Sequence, residues 1–97
     1  MNLNNAQRQY LRRTAHSLRP LTQIGKAGLT NSVINAIDQA LEAHELIKVK
    51  FLDFREEKQA LSDEIVGATG STLVSLIGNI AILYRPNPEL KRLVLPT

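Results

Sequence analysis

Apolar residues recur every three or four positions in three stretches of the chain, which is the spacing of an amphipathic helix. The stretches predict helices over residues 4–18, 31–44 and 53–68. Their apolar stripes are Leu11, Ala15 and Leu18; Val33, Ile34, Ile37, Leu41 and His44; and Leu61, Ile65 and Ala68. The predicted N-caps are Asn4 or Asn5, Thr30, and Asp53 with Glu56 as its capping-box partner. The predicted terminators are Pro20 and Gly70.

Shorter segments between the helices are rich in aliphatic and β-branched residues, which is typical of strands. The predicted strands are residues 21–24, 46–52, 72–77 and 80–85. In the second strand the sequence Ile-Lys-Val-Lys-Phe alternates, which predicts an apolar face and a basic face bearing Lys48 and Lys50. Gly78 and Asn79, between the last two strands, indicate a two-residue hairpin turn.

The predicted order of elements is α-β-α-β-α-β-β. Helices between strands act as crossover connections, which make part of the sheet parallel, and the hairpin adds an antiparallel strand. The pattern predicts a two-layer α/β (α+β) domain in which helices pack against a mixed four-stranded sheet. A chain of 97 residues has room for one domain. We therefore expect residues 1–97 to form one unit, with residues 93–95 packed back on its body.

Composition excludes several classes of protein. Leu, Ile, Val and Phe make up about 31% of the chain, well above the level of about 20% that marks disordered proteins. The absence of cysteine excludes disulfide scaffolds, cysteine-ligated zinc and thiol nucleophiles. Asp63 and Glu64 point about 100° apart on a helix, and Ser62 and Ser75 have no evident base partner. We expect no catalysis, no cofactor and no metal site.

Hydropathy favours a cytoplasmic protein without membrane contact. Residues 1–10 are polar and lack the apolar core of a signal peptide. Residues 65–84 carry no charge, but they contain several glycine, serine and threonine residues, whereas a membrane span is predominantly apolar. This stretch fits a helix end followed by two strands.

Positive charge is concentrated in the first third of the chain. Residues 1–30 carry five basic side chains and no acid, whereas residues 31–64 have a net charge of −4 and residues 65–97 of +2. This asymmetry indicates either a surface that faces a polyanion or a solvated helix face balanced by acids elsewhere in the fold. Arg8, Arg12, His16 and Arg19 fall within about 80° on a helical wheel, so they could form one basic track.

Two Gly-x-x-Gly strings occur, and their surroundings distinguish them. Residues 67–70 close a helix, where glycines terminate and turn the chain. Residues 25–28 join a strand to a helix start, where glycine permits positive φ and close approach of a ligand, and where a helix N-terminus suits phosphate. KH-type loops of this form clamp a nucleic-acid backbone, although a tight turn with an exposed Lys26 gives the same pattern. The spacing matches neither a nucleotide triphosphate loop nor a Rossmann fingerprint.

Residues 21–30, Leu-Thr-Gln-Ile-Gly-Lys-Ala-Gly-Leu-Thr, resemble the signature of the CRM domain (chloroplast RNA splicing and ribosome maturation) in its bacterial single-domain YhbY-type form. Residues 11–16, 41–50 and 77–86 fit the same family. The resemblance implies a fold similar to the C-terminal domain of a bacterial translation initiation factor. It also implies binding to structured RNA, namely precursor ribosomal RNA of the large subunit, through the glycine loop and the adjacent basic surface. We expect a monomer.

The candidate RNA-binding residues lie in the loop, on the first helix and on two strands. They are Gly25, Lys26, Ala27, Gly28, Arg8, Arg12, Arg13, His16, Arg19, Lys48, Lys50 and Arg85. His44 is expected to be a hydrogen-bonded structural histidine, and the scarcity of aromatic residues argues against a stacking platform of the RRM or OB type. The alternative is a protein–protein adaptor without RNA contact, which would use the acids of the second helix, Asp38, Glu42 and Glu45.

Overall fold

The computed structural model describes residues 1–90 and 93–97. Within these residues the chain forms three α-helices, four strands and a single 3-10 turn. In chain order they are α1 (Asn5–His16), β1 (Thr22–Ile24), α2 (Asn31–His44), β2 (Leu46–Phe51), the 3-10 turn (Arg55–Glu57), α3 (Lys58–Thr69), β3 (Thr72–Ile77) and β4 (Ile80–Tyr84). The predicted order of elements is confirmed.

The strands form one mixed sheet in the order β1-β2-β4-β3. β1 runs parallel to β2, with Ile24 opposite Phe51, because α2 carries the chain back across the sheet between them. The other two strand pairs are antiparallel. The tight turn between β3 and β4 contains Gly78, whose φ of +57° lies in the region that favours glycine. The predicted mixed sheet and its hairpin are therefore confirmed.

Helices cover both faces of the sheet. On one face, α2 and α3 close a core whose fully or almost fully buried residues are Ile24, Ile37, Leu41, Ile47, Val49, Phe51, Ile65, Ala81 and Leu83. On the other face, α1 closes a second core formed by Leu11, Ala15, Leu46, Val74, Ile82 and Tyr84. The α+β class is confirmed, but the two-layer arrangement is corrected to three layers. The reason is that β2 and β4 are apolar on both faces at the end near Leu46, so each face needs its own cover.

Several helix ends lie where the sequence predicts them. Asn4 and Gln7 form a capping box, with Asn4 Oδ1 accepting from the Gln7 backbone N–H at 2.8 Å and Gln7 Oε1 accepting from that of Asn4 at 3.0 Å. Thr30 Oγ1 accepts from the backbone N–H of Val33 at 3.1 Å and caps α2. Gly70, with a φ of +69°, ends α3 in the left-handed conformation.

The predicted capping box of Asp53 and Glu56 is wrong. Asp53 Oδ1 instead accepts from the backbone N–H of the adjacent Phe54 at 2.7 Å, and Phe54 takes a left-handed conformation with a φ of +54°. The chain then makes the 3-10 turn before α3 begins at Lys58. The cause is local, because the Asp53 carboxylate bonds within its own turn rather than to the start of a helix.

Three side chains assigned to apolar stripes are exposed. α1 ends at His16, so Leu18 lies beyond the helix and is 37% exposed. His44, the last residue of α2, is exposed rather than structural, because the buried stripe of that helix ends at Leu41. Ala68 is also exposed, and α3 instead buries Ser62, Ile65 and Thr69.

The C-terminal segment packs against the second core, as predicted. Leu93 and Leu95 contact this core, while Val94 points to solvent and is 80% exposed. Gln7 Nε2 donates to the carbonyl of Pro96 at 3.0 Å, which ties the segment to α1. Among the described residues, no helix combines the length and apolar character needed to cross a bilayer.

Candidate nucleic-acid interface

The Gly-x-x-Gly loop is a tight turn at the carboxyl end of β1. The backbone N–H of Gly28 donates to the carbonyl of Gly25 at 3.0 Å, so Lys26 and Ala27 form an exposed tip. Thr30 then caps α2, whose first N–H groups have no acceptor within the helix. One end of the sheet therefore presents a lysine, exposed backbone and a helix N-terminus together.

The two glycines of the loop have different structural reasons to be glycine. Gly28 has a φ of +74°, and a Cβ built on it would lie 3.4 Å from Cε2 of Phe54. Gly25 is outside the left-handed region, and a Cβ there would meet no atom within 4 Å. The fold requires glycine at position 28 only. At position 25 the missing side chain leaves open surface that a ligand can approach.

One side of the loop is bordered by an acidic segment. The backbone N–H of Asp53 donates to the carbonyl of Ile24 at 3.2 Å, and the ring of Phe54 lies against Gly28. Residues 53–57 carry three carboxylates and one guanidinium, all exposed. A polyanion would therefore approach the loop from the other side, where β2 carries its lysines.

α1 covers only part of its sheet face and leaves the end near the loop uncovered. Lys50 of β2 lies between Gln23 of β1 and Ile80 of β4 in the register of the sheet. Gln23 and Lys50 are exposed, and Ile77 at the end of β3 is 55% exposed. We call this area the open face, and define it by Gln23, Lys48, Lys50, Ile77 and Ile80. It adjoins the loop, because Gln23 is two residues from Gly25.

Two residues of α1, Arg12 and His16, border the open face. They lie one helical turn apart and line a groove together with Lys48 and three isoleucines of β3 and β4. Lys48 Nζ donates to the carbonyls of His16 at 3.4 Å and Leu18 at 3.1 Å, which ties the end of α1 to β2. Arg13 lines a shallower depression next to the groove.

Arg8, one turn before Arg12, is used inside the fold. Its Nη1 donates to the carbonyls of Leu73 at 3.0 Å and Val74 at 2.8 Å, where the pairing of β3 with β4 is irregular. The guanidinium thus satisfies backbone groups of an edge strand. It does not continue the exposed track that the helical wheel predicts.

Arg85 is likewise engaged within the fold, at the end of the sheet opposite the loop. Its guanidinium contacts Oδ1 of Asp38 at 2.6 Å and Oε2 of Glu42 at 3.2 Å, and it donates to the carbonyl of Thr69 at 2.7 Å. Its side chain is only 18% exposed. The residue therefore joins β4 to α2 and α3, and its charge is compensated there.

Arg19 is separated from the helical track because α1 ends three residues earlier. It is exposed and lines a depression with His44 and Leu46, near the start of β2 rather than the end that meets the loop. The four residues on the predicted helical track therefore divide into Arg12 and His16 beside the open face, Arg8 in an internal contact, and Arg19 at the other end.

The family model of the CRS1 / YhbY (CRM) domain matches residues 3–85, a span that includes the loop and the open face. The chain belongs to this family. The resemblance noted in the sequence is thereby confirmed.

Three relatives match this CRM domain over at least 91% of their own length. The Bacillus subtilis protein named "Probable RNA-binding protein YqeI" is 41% identical over 95 residues, which cover 97% of this chain and 99% of the relative. A Haemophilus influenzae protein named "RNA-binding protein" is 44% identical over 90 residues, with 92% and 91% coverage. The solution structure of a hypothetical Staphylococcus aureus protein, described as a candidate RNA-binding protein, superposes with a TM-score of 0.83 at 41% identity, covering 98% of this chain and 100% of that one.

The CRM domain brings most of the predicted site residues to one side. Those at the loop, the open face and its border are Gly25, Lys26, Ala27, Gly28, Arg12, Arg13, His16, Lys48 and Lys50. Sequence reasoning missed Gln23, Ile77 and Ile80, which complete the open face. The hairpin signal at Gly78 could have placed the two isoleucines opposite each other, but no sequence signal shows how far α1 extends over them.

Proposed function

We propose that this chain is a monomeric, cytoplasmic RNA-binding protein without catalytic activity, and that it associates with precursor ribosomal RNA of the large subunit during ribosome assembly. In this proposal the loop of residues 25–28 holds the sugar–phosphate backbone of structured RNA. Lys50 and the α1 border formed by Arg12 and His16 continue the phosphate track, while Lys48 holds the end of α1 in place. The names of its relatives support RNA as the partner. Phosphate contacts of this kind position the RNA rather than specify its sequence.

The observation that carries the proposal is the continuity between the loop and the open face. Lys50 lies beside Gln23 in the parallel register, and the chain enters the loop only two residues after Gln23. Lys26, at the exposed tip of the loop, is therefore three residues from Gln23, which lies beside Lys50 on the open face. None of the five residues that define the open face is acidic.

The alternative function, a protein adaptor that uses acids of α2, is less well supported. Asp38 and Glu42 both pair with Arg85, at 2.6 Å and 3.2 Å. Glu45 is only 3% exposed, and its Oε1 accepts from the backbone N–H of Asn87 at 2.7 Å. Each of the three acids thus has a partner within the fold, although the side chains of Asp38 and Glu42 remain 53% and 69% exposed.

The test compares charge reversals on the two sides of the molecule. Lys26→Glu and Lys50→Glu change the proposed surface, and Arg19→Glu is the control with the same change in net charge at the other end of the sheet. Affinity for a structured large-subunit RNA fragment is measured as a function of salt. We expect wild-type affinity to fall with salt, with a log–log slope of about −0.7 to −0.9 per phosphate contacted. Each lysine substitution should weaken binding and make the salt slope less steep by the amount expected for about one phosphate contact. The control should change neither the affinity nor the slope by much.

Either of two results would overturn the proposed surface. One is a flat salt response of the wild-type protein, which would favour an adaptor. The other is binding of Lys26→Glu and Lys50→Glu that equals that of the Arg19→Glu control.

The assembly role has a test of its own. Crosslinking of the protein to cellular RNA, followed by sedimentation, should recover it with precursors of the large subunit. Recovery only with other RNA classes would leave RNA binding intact and exclude this role.

A further inference from the structure

We infer that the groove between α1 and the open face binds a single unpaired nucleobase, so that the protein prefers RNA with a bulged or looped-out nucleotide to an uninterrupted duplex. The inference rests on the proposed function and deepens it, because it assigns a base-binding role to a surface next to the phosphate track.

The groove lies beside α1, between residues one helical turn apart on the helix and the part of the sheet face next to the β3–β4 turn. It has a volume of about 150 Å³ and is lined by Arg12, His16, Lys48, Ile77, Ile80 and Ile82. Burial along β4 shows the boundary, since Ile82 is 2% exposed beneath α1 whereas Ile80 is only half-buried. Ile77, opposite Ile80 in the hairpin, is 55% exposed. The isoleucines thus form an aliphatic floor that this chain leaves partly uncovered.

The wall of the groove is held in place by contacts within the fold. Lys48 Nζ donates to the carbonyls of His16 at 3.4 Å and Leu18 at 3.1 Å, and so fixes the end of α1 above β2. Arg12 is one turn back on the same helix, whose apolar side is anchored by the fully buried Leu11 and Ala15. The groove is therefore present without a ligand, which reduces the ordering cost of binding.

The chemistry of the lining fits a base attached to a phosphate chain. Arg12 and His16 supply planar groups, and unstacked RNA bases commonly stack on guanidinium and histidine planes. The aliphatic floor accepts the apolar face of a ring. The polar border consists of cations and a histidine without any carboxylate, which suits a ligand that carries negative charge.

The size and position of the groove narrow the occupant further. Its volume of about 150 Å³ leaves room for one ring system and is below the range of about 300–1,000 Å³ of sites for drug-sized ligands. Ile80 of the floor pairs directly with Lys50 of the proposed phosphate track. An RNA strand that follows Lys50 towards the loop therefore passes next to the groove and can turn one base into it.

The test uses three RNA hairpins that differ at one position: fully paired, with a single bulged nucleotide, and with an abasic residue at the bulge. We expect the wild-type protein to bind the bulged hairpin about five-fold more tightly than the other two. This is the lower end of the range for bases stacked on aromatic side chains, because the groove offers only a histidine ring and a guanidinium as planar groups. With 2-aminopurine at the bulge, binding should also change the fluorescence of the base.

Ile77→Ser makes the floor polar without changing charge. Val94→Ser is the matched control, because both residues are exposed, at 55% and 80%, and Val94 lines a different depression, with Glu45 and Tyr84. We expect Ile77→Ser to lose the preference for the bulge and the fluorescence change but to keep its binding to the paired hairpin. Arg12→Gln removes a planar cation that also borders the phosphate track, so it should weaken binding to all three hairpins and abolish the preference for the bulge. The ratio of bulged to paired affinity makes it the second variant should Ile77→Ser prove unstable.

The outcomes separate this inference from the proposed function. Equal wild-type affinity for the three hairpins, or a bulge preference that survives both groove substitutions, would overturn the base-binding groove while RNA binding through the loop stands. Lys26→Glu should weaken binding of paired and bulged RNA alike. A wild-type protein that binds none of the hairpins would contradict the proposed function itself.

Discussion

Alanine substitution at Gly28 should lower stability and alanine substitution at Gly25 should not, although the two positions belong to one motif. Gly28 has a φ of +74°, and a left-handed conformation costs a non-glycine residue about 1–2 kcal/mol. The new methyl group would also lie 3.4 Å from the ring of Phe54. That ring is 36% exposed and can move, so the backbone strain dominates. Gly28→Ala should therefore lower the free energy of unfolding by about 1–2 kcal/mol.

Gly25→Ala introduces neither strain nor a close contact, since its φ is outside the left-handed region and a Cβ would meet no atom within 4 Å. A substitution of this kind restricts the unfolded chain, and it typically raises stability by about 0.4–1 kcal/mol. We expect a small gain or no change. The same methyl group should weaken RNA binding, because it occupies surface that the proposed phosphate contact needs.

Thermal and urea unfolding measure both effects. For a domain of about this size, a change of 1 kcal/mol shifts Tm by roughly 4–8 °C, so Gly28→Ala should be readily detected. Gly28→Asn is the internal control: it adds a Cβ as alanine does, but asparagine tolerates the left-handed conformation better. It should therefore be less destabilising than Gly28→Ala.

The reasoning is refuted if Gly28→Ala unfolds like the wild-type protein, or if Gly25→Ala is the more destabilised of the two. A stable Gly25→Ala variant that binds RNA normally would instead show that the first glycine is not required for backbone contact. The difference between the two glycines also shows why a substitution at Gly28 alone is a poor test of RNA binding, since it perturbs the fold and the interface together.

Two further predictions concern the end of the sheet opposite the loop. Burial, with a smaller contribution from the charge of Glu45, raises the pKa of Tyr84 above its ordinary value of 10.0. The stability gained from the neutral phenol is therefore present below pH 10 and is lost as the pH rises through the raised pKa. Tyr84→Phe should reduce the loss of unfolding free energy above pH 10 in urea titrations, and an unchanged alkaline loss would contradict this. Arg85→Leu should lower the free energy of unfolding by about 1–3 kcal/mol, because it leaves a backbone carbonyl and Asp38 without their partner. The control, Asp38→Asn, should lower it by less than about 1 kcal/mol. Both variants should bind RNA as tightly as the wild-type protein, and a clear loss of affinity would place this end of the sheet in the interface.

Local signals in the sequence were sufficient for most of the secondary structure. Asn4 and Thr30 cap their helices through bonds to residues three positions away, and the turn at Gly78 depends on adjacent residues. Such features depend on backbone geometry within a few residues, so the local residue types are enough to predict them. The failure at Asp53 has the same origin, because an aspartate before a helix can bond either to the helix start or within its own turn, and spacing does not distinguish these bonds.

The roles of the cations could not be predicted in this way, because they depend on contacts between distant parts of the chain. Arg8 and Arg12 lie on the same side of a helical wheel, yet Arg8 bonds to carbonyls 65 and 66 residues away, whereas Arg12 borders a groove. Arg85 meets Asp38 at a separation of 47 residues. A count of basic residues identifies a polyanion-binding candidate, but only the packing of the sheet and helices shows which cations are available to a ligand.

The position of the open face follows from a change of residue type along β2. On the face that α1 covers, the strand begins with Leu46, which is 3% exposed, continues with the half-buried Lys48, and ends with the exposed Lys50. Lys48 stands at the boundary and bonds to the end of α1. If this end of the face were only solvated, its neighbours would be expected to turn polar as well, but Ile80 and Ile77 remain aliphatic beside the lysines. Cations and uncovered aliphatic side chains at one sheet end favour a ligand that offers both phosphate and ring surfaces, which is the combination that an RNA strand with an unpaired base provides.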